Sequence, residues 1–184
     1  GGSRVFSVGE VFAADASELT LARLTVTGGS SDLGGGIAAY SGTTLILTAS
    51  TVTGNTATST PGQGSPPGGY GGGIYSVGTL VVTNSTISGN LATGYTGVGG
   101  GILAGGSLTL TNSTVSGNSA TAEGGPPAAG GGVSVQIGTT VDLANSIIAG
   151  NSAALNADVN GSITGSNGHN IFGSEVDGAA AGDL

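Results

Sequence analysis

The stretch GTLVVTNSTISGN, from Gly78 to Asn90, returns nearly letter for letter as GSLTLTNSTVSGN from Gly106 to Asn118 and as TTLILTASTVTGN from Thr43 to Asn55. Two looser copies flank these three, SELTLARLTVTGG from Ser17 to Gly29 and TTVDLANSIIAGN from Thr139 to Asn151, so five registers of one unit are present. Inside a copy the apolar residues alternate. Leu80 and Val82, like Leu108 and Leu110, share one face, and Val26, Val52, Ile87, Val115 and Ile148 repeat the pattern in the next strand. A period of two marks a strand with one buried side, and recurrence at tens of residues marks a stacked repeat.

Each of the last four copies follows a glycine triplet and a β-branched residue: Gly34-Gly35-Gly36-Ile37, Gly71-Gly72-Gly73-Ile74, Gly99-Gly100-Gly101-Ile102 and Gly130-Gly131-Gly132-Val133. The triplets begin 37, 28 and 31 residues apart. A solenoid absorbs such variation by letting one loop bulge outward. The variable stretch between each Gly-Asn and the next triplet holds Pro61, Pro66, Pro67, Pro126 and Pro127 and is expected to protrude. Asn84, Asn112 and Asn145 recur at one corner, and Asn55, Asn90, Asn118 and Asn151 at a second. Asparagine tolerates the left-handed backbone of such corners, and its amide can bond its counterpart one coil away, so two internal Asn ladders are predicted. The glycine triplets suit a corner that admits no Cβ. A phosphate cradle is the competing reading, but no Lys follows the triplets and no helix begins there.

The expected fold is therefore all-β: a right-handed, single-stranded parallel β-helix of about five to six coils, three short strands per coil, forming one domain over residues 1–184. These residues resemble the bacterial secreted right-handed parallel β-helix repeat proteins of the pectate-lyase-like superfold, built on GGGI and GTLTLTNSTISGN coils. Arg4-Val5-Phe6-Ser7-Val8 and Gly168-His169-Asn170-Ile171-Phe172-Gly173 look like the motifs such proteins place before and after their coils. The resemblance implies a fold and leaves function open, since that superfold carries lyases, hydrolases, adhesins and inert stalks.

Composition narrows the function. Gly 40 of 184 residues, 4% aromatic and 7% charged, with no Cys, Met or Trp, leaves only a thin core of small and branched side chains. Two basic residues, Arg4 and Arg23, against ten acids give a net charge of -8, which repels phosphate backbones and anionic membranes, so nucleic acid is not an expected partner. No apolar run approaches the roughly 20 residues that cross a bilayer as a helix. The absence of an initiator Met and of a basic leader points to a mature or internal segment of a longer precursor.

No catalytic set is legible. Lyases of the resembled superfold use an Arg or Lys beside a carboxylate-held Ca²⁺, and hydrolases need acids converging on one face. Here Glu10, Asp15, Glu18, Asp32, Glu123, Asp142, Asp158, Glu175, Asp177 and Asp183 are scattered. His169 stands alone, Arg23 sits at a corner, and Glu175-Val176-Asp177 offers at best a weak Ca²⁺ site. The expectation is no enzyme and no cofactor. Of the sequons at Asn84, Asn112 and Asn160, only the last is expected to be accessible.

Two function classes remain. One is a noncatalytic secreted or cell-surface element, a filament subunit or stalk, whose partner is itself, head to tail, with Gly2 to Val8 and Ile163 to Phe172 as open terminal coils. The other is a ligand-binding solenoid, with carbohydrate or ice meeting an outward face of Thr25, Thr27, Thr51, Thr53, Thr86, Ser88, Thr114 and Ser116.

Overall fold

A computed structural model describes residues 3–9, 17–59, 68–174, 176–180 and 182–184. Among these every regular element is a strand, and every strand pair is parallel. Three six-stranded sheets run the length of the stack. The first joins Phe6–Val8, Ile37–Ala39, Ile74–Ser76, Ile102–Ala104, Val133–Val135 and Val159–Asn160. The second joins Glu18–Ala22, Thr44–Thr48, Thr79–Thr83, Ser107–Thr111, Thr140–Ala144 and Gly165–Ser166. The third joins Thr25–Thr27, Thr51–Thr53, Thr86–Ser88, Thr114–Ser116, Ile147–Ala149 and Ile171–Phe172. Six coils follow from this order, each residue lying over its equivalent in the next copy: Leu45, Leu80, Leu108 and Val141 form one column.

The core is what the alternation dictates. Ile37, Ile74 and Ile102 from the first sheet, Leu45, Leu47, Leu80, Val82, Leu108 and Leu110 from the second, and Val52, Ile87 and Val115 from the third are all buried in one cluster. Aliphatic side chains of similar size stack at about 4.8 Å, the strand spacing, so aliphatic columns replace the large aromatics the chain lacks.

Three strands per coil understates the structure. Ser30–Ser31, Thr56–Ser59, Leu91–Gly94 and Ser119–Ala120 form a fourth sheet, and Gly68–Tyr70 pairs with Thr96–Val98 in a fifth. Much of the stretch expected to protrude is thus strand, with Ala57, Ala92 and Ala120 turned inward on one column. Alternating Thr and Ala reads as loop composition, yet a neighbouring coil supplies both the backbone partners and the apolar surface that make it pair. Pro126 and Pro127 are exposed, as expected of a bulge, whereas Pro61, Pro66, Pro67, Gly2, Glu10, Asp15 and Glu175 lie outside the described residues.

The last coil is less open than expected. Val8, Leu21 and Val26 are buried in the first coil, and Val159 and Ile163 in the sixth. Beyond Phe172 the chain adds a partial turn: Ile163 N–H donates to Asp177 O at 2.9 Å, Leu184 N–H to Asn170 O at 2.9 Å, and Phe172 N–H to Leu184 O at 2.7 Å. Ile163 to Phe172 is therefore not the outermost rung. Asp183 pins this turn by accepting from Ser166 Oγ at 2.6 Å, Asn170 N–H at 2.9 Å and Ala180 N–H at 2.8 Å.

Burial alone would raise the Asp183 carboxyl, but the hydrogen bonds from Ser166, Ala180 and Asn170 outweigh it and hold the group below its ordinary value. A depressed folded pKa contributes stability that is present above the unfolded value near ~3.9 and is lost as pH falls through the folded one. Hydrogen exchange should therefore show the Asn170 and Leu184 amides losing protection below about pH 4, while the Asn118 amide keeps its own. Unchanged protection at Asn170 and Leu184 across that range would remove the carboxylate latch.

Candidate functional site

The polar residues that the repeat keeps constant are divided between the inside and the outside of two corners. At the corner after the third sheet, Gly54, Gly89, Gly117 and Gly150 take φ of 64°, 61°, 63° and 70°, and the asparagine that follows each turns inward. Asn55 Nδ2 donates to Asn90 Oδ1 at 3.0 Å, Asn90 Nδ2 to Asn118 Oδ1 at 2.9 Å, and Asn118 Nδ2 to Asn151 Oδ1 at 3.0 Å. Each Oδ1 also accepts the backbone N–H of the preceding asparagine, and each Nδ2 also donates to a strand carbonyl, Val26, Val52, Ile87 or Val115. Both ends of the column are satisfied. Gly29 N–H donates to Asn55 Oδ1, and Asn151 Nδ2 donates to the buried carboxylate of Asp158 at 2.9 Å.

This column explains the glycine triplets. A Cβ on the third glycine, Gly36, Gly73, Gly101 or Gly132, would stand 2.7–2.9 Å from the amide of Asn55, Asn90, Asn118 or Asn151. The asparagine fills the space that side chain would need. Where the ladder stops, Asp158 occupies the place of a third glycine, just before Val159, and its own side chain becomes the last acceptor. The first and second glycines face backbone carbonyls instead, as in Gly100, whose Cβ would lie 2.4 Å from Gly131 O and Ser119 O.

The other corner corrects the second predicted ladder. Asn84, Asn112 and Asn145 themselves take positive φ of 50°, 51° and 49°, in a column with Arg23, Ala49 and His169, and their side chains are exposed. Only Asn145 and Asn112 are joined, Nδ2 to Oδ1 at 2.7 Å. The interior belongs to the next residue. Ser50, Ser85, Ser113 and Ser146 are buried; Ser50 N–H donates to Ser85 Oγ, Ser85 N–H to Ser113 Oγ, Ser113 N–H to Ser146 Oγ and Ser146 N–H to Asn170 Oδ1. Each serine Oγ donates back to the carbonyl two residues earlier at 2.8–2.9 Å. The invariant Ser after Asn was the signal that sequence reading passed over. Accessibility of the sequons reverses with it: Asn84 and Asn112 are exposed, whereas Asn160 is half-buried with Nδ2 donating to Ser134 Oγ.

The outward face of the third sheet carries the expected hydroxyls. Thr25, Thr51, Thr86 and Thr114 share one column and Thr27, Thr53, Ser88 and Ser116 the other. Thr25 and Thr27 are exposed and the rest half-buried. The columns then pass to Ile147 and Ala149.

Among the described residues no three His, Cys, Asp or Glu side chains form a group able to hold a metal. Asp142 and His169 are exposed. Arg4 is bound into the first turn: its guanidinium donates to Tyr40 Oη and Ser31 Oγ, lies 5.8 Å from the Tyr40 ring centroid and 3.9 Å from Asp32. Burial, with Tyr40 beside it, pushes the Tyr75 phenol upward. Among the described residues no helix is long and apolar enough to cross a membrane.

No curated protein and no solved structure matches the chain. The profile of right-handed β-helix regions matches residues 8–182, nearly the whole of the stack described above. With parallel sheets, stacked registers and inward ladders all agreeing with that match, the chain belongs to the right-handed β-helix family.

Proposed function

We propose that this chain is a noncatalytic extracellular structural element, a rigid segment of a surface stalk or of a filament whose copies meet end to end. One observation carries the reading: the repeated inward polar side chains are committed to holding one coil on the next, and among the described residues no buried side-chain N or O lacks a partner. Hydrolytic chemistry needs acids free to meet substrate; among the described residues the buried carboxylate is Asp158, which accepts from Asn151. Six coils give a rod of roughly 25–30 Å at about 4.8 Å per coil.

Electron microscopy and sedimentation test both parts of the proposal. Short rods linking into linear fibres, more readily as salt screens the acidic subunits, are the expected result. A monodisperse monomer at high concentration and high salt would remove end-to-end assembly, and cleavage of any acidic polysaccharide by the purified protein would remove the noncatalytic reading.

The register of the hydroxyl columns favours a second reading, a binding face for carbohydrate or ice on the third sheet. Successive rows are spaced about 4.8 Å along the stack and about 7 Å along the strand. Thermal hysteresis or retardation on polysaccharide gels, abolished by Thr51→Val together with Thr86→Val, is the outcome that reading requires.

A further inference from the structure

The coil interfaces are unequal in how many residues they pair. Between the fourth and fifth coils the first, second and third sheets pair over three, five and three residues. Between the fifth and sixth each pairs over two. The asparagine ladder makes its last bonds across this junction, from Asn151 to Asp158, and the fourth sheet has already ended at Ser119–Ala120. At the other end, the first and second coils pair over three, five, three and two residues in four sheets.

The direction of load makes this inequality matter. Interstrand hydrogen bonds in a parallel stack lie along the stacking axis, and each coil bonds only to its neighbours. Tension along the axis therefore passes through every interface in series and pulls each apart along its hydrogen bonds, so the interface with the fewest of them gives first. We propose that the stack is a strain absorber that opens first between the fifth and sixth coils, at the Asn151–Val159 junction, and then yields coil by coil. This inference rests on the stalk reading for its biological use, though the mechanics belong to the isolated chain.

Yielding leaves a length signature. Equivalent ladder asparagines are 33, 28 and 35 residues apart going from Asn151 back to Asn55. At about 3.5 Å of extended chain per residue, these coils release roughly 115, 100 and 120 Å. The stretch from Val159 onward releases on the order of 90 Å.

Optical-tweezers extension of the purified protein, with handles fused before Gly1 and after Leu184, tests the proposal. The expected trace is a staircase whose lowest-force step is the release of the stretch from Val159 onward. The chain contains no Cys, so Ile137→Cys, at a fully exposed turn of the fifth coil, gives a unique second attachment point. Pulling between Gly1 and that site leaves the junction out of the load path, and the lowest-force step should vanish. A single rip releasing the whole chain, or a lowest step that persists in the Ile137→Cys geometry, overturns the proposal. Either result would stand apart from the stalk reading, which is decided by microscopy of the assembled material.

Discussion

Asn118→Ala is expected to lower the melting temperature by roughly 10 °C, the larger of two effects that separate the ladders from ordinary surface polarity. Asn118 Oδ1 accepts from Asn90 N–H and Nδ2 at 3.0 and 2.9 Å, and its Nδ2 donates to Ile87 O and Asn151 Oδ1 at 2.9 and 3.0 Å. Alanine strips all four bonds from a site that is 1% exposed. Buried groups left unpaired cost about 1–3 kcal/mol each, partly relieved by water entering the space, which gives about 3–5 kcal/mol in total. Asn112→Ala is the control. It gives up one exposed hydrogen bond and keeps a positive φ that Ala49 already adopts in the second coil, so its expected cost is about 1 kcal/mol. Equal melting temperatures for the two variants, read by circular dichroism, would show that the inward column does not hold the coils together.

Gly100→Ala is expected to destabilise by about 3 kcal/mol or more, and to prevent folding where the stack cannot widen. Its φ lies outside the left-handed region, so backbone preference contributes nothing. The whole effect is steric, because the new Cβ would sit 2.4 Å from the carbonyl oxygens of both Gly131 and Ser119. Those atoms belong to the coil spacing itself and cannot move as a side chain would. Gly117→Ala inverts the case: φ is +63° and the nearest heavy atom to its Cβ is 3.9 Å away, so only a conformational cost of about 1–2 kcal/mol is expected. Denaturant unfolding of the two variants should rank them clearly, and the reverse ranking would mean that the triplets serve backbone conformation and not close approach.

The stacking was legible because it depends on side-chain period and repetition alone. Leu80 and Val82 alternate with outward, half-buried neighbours, and the same alternation one copy later has no place to bury its face except beneath the first. The fourth sheet was not legible. Thr56–Ser59 and Leu91–Gly94 carry too little apolar surface to declare a strand until another coil lies alongside to bond it. Nor was the partial turn over the sixth coil, since Asp177 and Asp183 take their roles from residues brought near only by the stack, Ser162 and Ser166.

The sequence by itself determined that asparagine recurs at two corners of a parallel solenoid, after a glycine at one of them, and that such corners need the left-handed region. Only the tertiary structure decided which residue enters it. After the third sheet Gly89 takes φ of 61°, and Asn90 is carried inward to join the ladder. After the second sheet Asn84 itself takes φ of 50°, its side chain is thrown outward, and Ser85 follows into the interior. Asparagine satisfies both local conformations, so its spacing could not distinguish them. The choice follows the space inside the coil, where the glycine triplets leave room for the asparagine amide at one corner and the serine hydroxyl folds back onto its own turn at the other.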